Sequence, residues 1–334
     1  MAEPLLSIRD LHVEFGATHY TVQALEGVSL DLHRGRVLGV VGESGCGKSV
    51  TARAALRIID HPGRITAGRI LLDPGTPAET DIAALPPGSP ALRAIRGGRI
   101  GLIFQEPMTA LSAHYTVGNQ IIEAVRTHEA LSKSAARDRA VSLLRDVGIP
   151  RPETRIDAYP FQLSGGLRQR VGIALALAGD PDVLIADEPT TALDVTTQAQ
   201  ILALLRRLQR GRQIALMLIT HDMGVIAEMA DHVAVMYLGR VVEAADVRTL
   251  FASPRHPYTR ALLRSVPSIL AGPRQRLATI GGAVPQPAAR PTGCPFHPRC
   301  PEIIPGRCAA EAPPPVPPGS PGASCWHAVP ALAA

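Results

Sequence analysis

Apolar and polar positions fall into short blocks of two periods, and the two kinds of block alternate along the chain. Residues 5–15, LLSIRDLHVEF, alternate in part and predict a strand. VQALEGVSLDLHRG, at 22–35, predicts a second strand and a turn. RVLGVVG, at 36–42, is a short apolar run rich in Val, the pattern of a strand covered on both faces in a parallel sheet. KSVTARAALRII, at 48–59, predicts a helix, and the Pro- and Gly-bearing stretch 60–90 predicts loop. GGRIGLIFQ, at 97–105, reads as another buried strand. Between 116 and 147, VGNQIIEAVRTH and AARDRAVSLLRDVG carry apolar residues at helical spacing. VGIALALAG (171–179) predicts a helix, DVLIADEP (182–189) a strand entering a turn, and TQAQILALLRRLQRG a helix ended by Gly211. QIALMLITHD (213–222) predicts a strand, and 224–245 a short helix and two strands.

Strands alternating with helices argue an α/β sheet with crossover helices, and the 116–160 stretch interrupts that rhythm as a helical insertion. Composition adds three points. Aromatics are 3% of the 334 residues, so the core must be built from Ala, Leu, Val and Ile. The net charge of +5 is too mild to identify a partner. No apolar run reaches membrane-spanning length, and MAEPLLSIRD lacks the basic start and apolar stretch of a signal peptide, so a cytoplasmic protein is expected. Thiols stay reduced in that compartment, which leaves five cysteines to explain.

GESGCGKS, at 42–49, fits the GxxxxGK[ST] pattern between a predicted strand and a predicted helix. Its glycines let backbone N–H groups curl around phosphate oxygens, and the helix N-terminus adds its dipole. Lys48 would reach the β- and γ-phosphates, and Ser49 would hold Mg²⁺. VLIADE ends an apolar strand in two carboxylates, Asp187 for Mg²⁺ and Glu188 for the attacking water. Acidic strand ends are common, and this one gains meaning because a phosphate loop needs a metal-side carboxylate. In LSGGLRQR, at 163–170, two glycines after Ser164 precede a helix. That arrangement can cradle an anion, and it can equally be a helix start capped by Ser164.

With these motifs in this order, the chain resembles the ATP-binding subunits of ABC transporters, across roughly residues 5–250. The resemblance implies a P-loop NTPase of the ABC ATPase type, with a helical subdomain at about 106–162. It implies that ATP is bound by Gly42, Ser44, Gly45, Cys46, Gly47, Lys48, Ser49 and Val50, with Tyr20 stacking on adenine. Gln105 in LIFQEP matches the glutamine that senses Mg²⁺ and water, and Asp194 in TALD and His221 in ITHD match the remaining motifs. Two cassettes would pair head to tail, so that Ser164, Gly165 and Gly166 of one meet ATP on the other. Catalysis would rest on Glu188, His221, Gln105 and Lys48, with Mg²⁺ at Ser49, Gln105 and Asp187.

HPYTRALLRSVP (256–267) and the tail IGGAVPQP and GCPFHPRCP resemble the D-type ATPase subunits of bacterial dipeptide and oligopeptide importers. Residues 251–334 would form a Pro- and Cys-rich extension of that kind. Nickel importers share much of the pattern, and drug-export or soluble ABC proteins are the more distant alternatives. The signature carries Leu167 where the subfamily usually has Met, and EPMTALSAHYTVG lacks an Asn-Pro pair near 112–113. The partners implied are two permeases, a sister ATPase (or a second copy), and an extracytoplasmic peptide-binding protein, at the cytoplasmic face of the membrane and with no nucleic acid. Cys46 is expected to be incidental, and ATP should protect its thiol wherever it is exposed. Four cysteines remain in the tail. Free Cys tends to be buried, and the tail offers little apolar matter to bury it, so metal ligation is expected. By resemblance a [4Fe-4S] cluster is expected on Cys294, Cys300, Cys308 and Cys325, with Zn²⁺ as the alternative.

Overall fold

A computed structural model describes residues 3–16, 20–106, 110–265 and 280–328. The chain divides into two units, one of residues 1–32, 37–84 and 220–334, the other of 33–36 and 85–219.

In the first unit, β1 (Leu6–Gly16) and β2 (Thr21–Leu32) pair antiparallel, with Leu6 opposite Leu32 and Ile8 opposite Leu30. On its other side β1 pairs with β4 (Gly63–Leu72), Leu6 facing Leu72 and Ile8 facing Ile70. The two-residue β5 (Thr80–Asp81) closes this sheet at β4. The strand β4 lies inside the stretch expected to be loop. Its first seven residues are half-exposed or exposed and include Gly63 and Gly68; only Ile70, Leu71 and Leu72 are buried. Most of an edge-like strand with two glycines therefore carries no apolar signal.

The second sheet segment of this unit runs β11 (Gly322–Ala323), β10 (Arg240–Asp246), β9 (His232–Tyr237), β3 (Val37–Val41). All five residues of β3 are buried, and it runs parallel to β9, as its unbroken apolar run predicts. Helix α1 (Lys48–Ala55) follows β3. Helices α8 (Met223–Met229), α9 (Val247–Ala252) and α10 (Pro257–Arg264) come later in the unit, and α11 (Arg307–Ala310) lies in the tail.

In the second unit, β6 (Ile100–Ile103), β7 (Val183–Asp187) and β8 (Ala215–Thr220) pair in parallel in the order β8-β7-β6. The short α2 (Pro90–Ile95) precedes them, capped by Ser89. Between β6 and β7 stands the helical subdomain: α3 (Val117–His128), α4 (Lys133–Asp146), α5 (Pro152–Arg155) and α6 (Gly165–Ala176). Thr116 and Ser132 cap α3 and α4, their hydroxyls accepting the Asn119 and Ala135 N–H groups. Ala136, Ala140, Leu143 and Leu144 form the buried face of α4, at the helical spacing seen in the sequence. Gly118 is required where α3 meets α5, because a Cβ there would stand 2.4 Å from Ile156 Cγ1. Helix α7 (Val195–Arg212) runs one residue past Gly211, and Gln213, at φ 53°, ends it in the left-handed cap that Gly211 was expected to supply.

Candidate active site

Leaving β3, the backbone turns through Gly42–Gly47 and enters α1 at Lys48. A side chain at Gly42 would strike Met236 O at 2.2 Å, and one at Gly47, where φ is 102°, would meet Leu25 Cδ2 at 2.7 Å. Ser44 and Gly45 are exposed at the crest of the loop. Lys48 is only 5% exposed, and its ammonium donates to Gly42 O at 2.8 Å and Glu43 O at 3.1 Å. The loop thus closes on its own lysine. Thr51 donates its hydroxyl to Gly47 O and ties the first turn of α1 to the loop. Cys46 is buried; burial pushes its thiol up, and the nearby Lys48 ammonium offsets this only in part. Ser49 and Val50 are half-buried, and Tyr20, at the start of β2, is 58% exposed.

In the second unit, β7 delivers Asp187, 6% exposed, and then Glu188. Glu188 has φ 46°, a conformation rare for a residue with a Cβ. Its N–H bonds Ile219 O at 2.9 Å, which pins this conformation. Its carboxylate Oε2 accepts from the Thr191 hydroxyl at 2.9 Å and from Gln105 Nε2 at 3.1 Å. Two residues of the sequence expectation, Gln105 and Glu188, are therefore brought into contact across 83 positions. Thr191 was not foreseen, although it opens the TALD motif.

Ser164 caps α6 through Leu167 N, so the glycines of LSGG form the first turn of that helix rather than preceding it. Gly166 lies against α7, since a Cβ there would come within 2.6 Å of Thr197 Cγ2. Asp194 accepts the N–H and the hydroxyl of Thr197, and these bonds hold its carboxyl below the usual range. The first turns of α6 and α7 therefore meet at Gly166 and Thr197. In the first unit, His221 is exposed just after β8, and Asp222 caps α8 through Gly224 N and Val225 N.

The four tail cysteines depart from expectation. Among the described residues, no group of three or more His, Cys, Asp or Glu side chains is placed to hold a metal ion. Neither the [4Fe-4S] cluster nor the Zn²⁺ site on Cys294, Cys300, Cys308 and Cys325 is supported. Cys294, Cys308 and Cys325 are each 8% exposed, and Cys300 is half-buried. Burial pushes the Cys294 thiol up to about 11, with the neighbouring thiols adding to the shift. Cys308 Sγ accepts the Ile304 N–H at 3.3 Å. The premise behind the expectation fails because the tail does not bury its cysteines alone. Cys294 and Cys308 share a buried core with Phe296, Tyr237, Tyr258, Val242 and Leu250, and Cys300 packs against it; most of these partners are supplied by β9, β10 and the helices after them. The thiols behave as small apolar groups in a shared core.

HPYTRALLRSVP is legible as structure up to Ser265; Val266 and Pro267 lie outside the described residues, as do 107–109 of EPMTALSAHYTVG. His256 Nδ1 caps α10 at Tyr258 N, and buried Glu243 accepts the N–H groups of Arg255 and His256. Tyr258 is fully buried between Tyr237 and Phe296, with ring centroids 4.7 and 5.3 Å away.

A strand, a glycine loop closing on a buried lysine, and a second strand ending in paired carboxylates define a class, and comparison with known proteins agrees. The family model described as ABC transporter matches residues 25–191. A dimeric bacterial ABC transporter cassette of known structure superposes with a TM-score of 0.63 at 27% identity, covering 73% of this chain and 99% of its own. The cassette cbiO1 from Clostridium perfringens gives 0.61 at 28% identity, over 75% and 92%. The fold is thus the mixed α/β P-loop fold of the ABC ATPases, helical subdomain included.

A second family model, described as oligopeptide/dipeptide transporter, C-terminal region, matches residues 242–308. The dipeptide transport ATP-binding protein DppD of Haemophilus influenzae is 50% identical over 89% of this chain and 88% of its own. Its counterpart in Escherichia coli K12 is 47% identical over 92% of each, and that of Bacillus subtilis 48% over 90% and 87%. The chain belongs to the ATP-binding subunits of the dipeptide and oligopeptide ABC importers, which are ATP-hydrolysing motor subunits.

Proposed function

We propose that residues 5–250 bind ATP with Mg²⁺ at the phosphate loop and use its hydrolysis to drive a peptide permease, with residues 251–334 as the extension typical of peptide importers. Loop N–H groups from Gly42 to Val50 take the phosphates, Lys48 leaves its loop carbonyls for the β- and γ-phosphates, and Tyr20 stacks on the base. The donor set fits Mg²⁺: the Ser49 hydroxyl, the Asp187 carboxylate and the Gln105 amide oxygen are hard oxygen ligands. When bound, the ion supplies neutralisation of phosphate charge. Glu188 orients and deprotonates the attacking water, with Gln105 beside it, and His221 contacts the γ-phosphate. Ser164, Gly165 and Gly166 face the nucleotide of a partner cassette, and Asp194 serves the same contact between cassettes.

The observation that carries this reading is Glu188. Its carboxylate is held by two donors on a backbone conformation that costs free energy, the kind of strain kept where a side chain must point one way. The partners proposed are two permeases, a sister ATPase or second copy, and an extracytoplasmic peptide-binding protein, with this chain at the cytoplasmic membrane face. Measured in the assembled transporter, Glu188→Gln is expected to keep Mg-ATP affinity and to lose about 10²–10³-fold in turnover. Near-normal turnover removes Glu188 from the catalytic role.

A further inference from the structure

The C-terminal extension reaches the phosphate loop at Glu43, which none of the recognised motif roles employs. Arg299, set between Cys294 and Cys300, grips the Glu43 carboxylate with both guanidinium ends, Nη1 to Oε2 at 2.7 Å and Nη2 to Oε1 at 3.1 Å. The Arg299 side chain is 3% exposed. Its Nε donates to Gly281 O at 3.0 Å, and the guanidinium carbon lies 5.8 Å from the Tyr237 ring centroid. From the other side, the buried Tyr258 hydroxyl accepts the Glu43 N–H at 2.9 Å. Both the main chain and the side chain of Glu43 are therefore held by residues more than 200 positions away.

The place of Glu43 gives this clamp a consequence for ATP. Its carbonyl oxygen stands 3.1 Å from Lys48 Nζ, so its carboxylate, if released, is within a side chain's reach of the same ammonium. A carboxylate there would compete with the nucleotide phosphates for Lys48 and repel them. A bidentate guanidinium removes that competitor in two ways. It neutralises the charge, and its planar fork fixes the direction in which the carboxylate points.

We propose that Arg299 is a positioning residue for nucleotide binding: the extension, through Arg299, holds the Glu43 carboxylate off Lys48 and leaves the lysine for ATP. The proposal rests on the reading of the phosphate loop as the ATP site. The extension matched by the peptide-transporter family model thereby acts on the motor's nucleotide affinity as well as packing against it.

The test measures binding of a fluorescent N-methylanthraniloyl ATP, with Mg²⁺, to the purified full-length chain. Arg299→Gln is expected to weaken binding about tenfold, the size of one charge-assisted interaction lost. Glu43→Gln binds more tightly than Arg299→Gln, and the double variant Arg299→Gln/Glu43→Gln returns to the affinity of Glu43→Gln. Rescue by deleting the second charge is a result that a merely structural arginine does not produce. Wild-type affinity in Arg299→Gln overturns the proposal, and so does a double variant that stays as weak as Arg299→Gln. Loss of the cooperative melting transition in both also overturns it, because Arg299 is then a residue of the fold. Lys48→Ala separates the two levels: if it binds the probe as wild type does, the ATP reading of the loop fails, whatever Arg299 does.

Discussion

Glu188 shows what a motif read from sequence can and cannot contain. VLIADE announces a strand ending in two carboxylates, and the strand ends there. Nothing in the string announces φ 46°, or that Thr191 and Gln105 would converge on one oxygen. The phosphate loop is similar: its glycines and Lys48 are legible from spacing, while Arg299 and Tyr258 are not, because their contacts join residues hundreds of positions apart. Cys46 is the case where the structure adds what the string lacks: protection by ATP was expected only for an exposed thiol, and the side chain is 2% exposed, its pKa raised by burial. Iodoacetamide treatment of the native protein at about pH 7.5, followed by peptide mapping, is expected to modify the half-buried Cys300 ahead of Cys46, with or without ATP. Rapid labelling of Cys46 that ATP suppresses would contradict that burial.

Among the elements, those with a pure signal were legible and those with a mixed one were not. The all-apolar β3 and β7 and the capped helices of the subdomain stand where their patterns put them. Strand β4 hid because most of it faces solvent, and the end of α7 was misplaced because Gln213 adopts the conformation glycine usually takes. The tail misled for another reason: Cys294 and Cys308, with Cys300 against them, share a core with residues of β9, β10 and α10, outside the tail's own composition. The cap of α10 carries a pH dependence. Burial holds His256 neutral, its pKa lowered from 6.5 to about 3, with Arg260 adding to the effect. Its folded value lies below its unfolded one, so between those values the unfolded chain binds the extra proton. The stabilisation is therefore complete above about pH 6.5 and declines as pH falls, by up to about 1.4 kcal/mol per pH unit from this group. Urea unfolding at pH 7.5, 6.5 and 5.5 should show wild type losing stability over the lower interval. His256→Gln, which lacks the titrating ring, should be less stable at pH 7.5 and show a shallower slope. Parallel slopes in the two proteins would detach His256 from the effect.

For the whole molecule, the question is what receives the motion of ATP hydrolysis. No helix among the described residues is long and apolar enough to cross a membrane. The helical subdomain and its approaches display large side chains with little cover: Tyr115 at 60% exposure, Phe161 at 62% and Tyr159 at 38%. Tyr159 and Phe161 stack with centroids 5.5 Å apart, just ahead of the signature helix α6. Aromatic groups left outside by a chain so poor in them are expected to meet a partner. The permeases proposed above are the partner expected there. A tagged copy isolated in mild detergent from its own cells should carry two multispan proteins and a second ATPase, identified by mass spectrometry. Substituting both Tyr159 and Phe161 by Ser should reduce that recovery while leaving the thermal melting of the isolated chain within a few degrees of wild type, since both rings are outside the core. Full recovery of the permeases with the double variant would move the docking surface elsewhere. Recovery of ribosomal or DNA-bound proteins with no permease would overturn the proposed assembly and leave the ATPase without a transporter to drive.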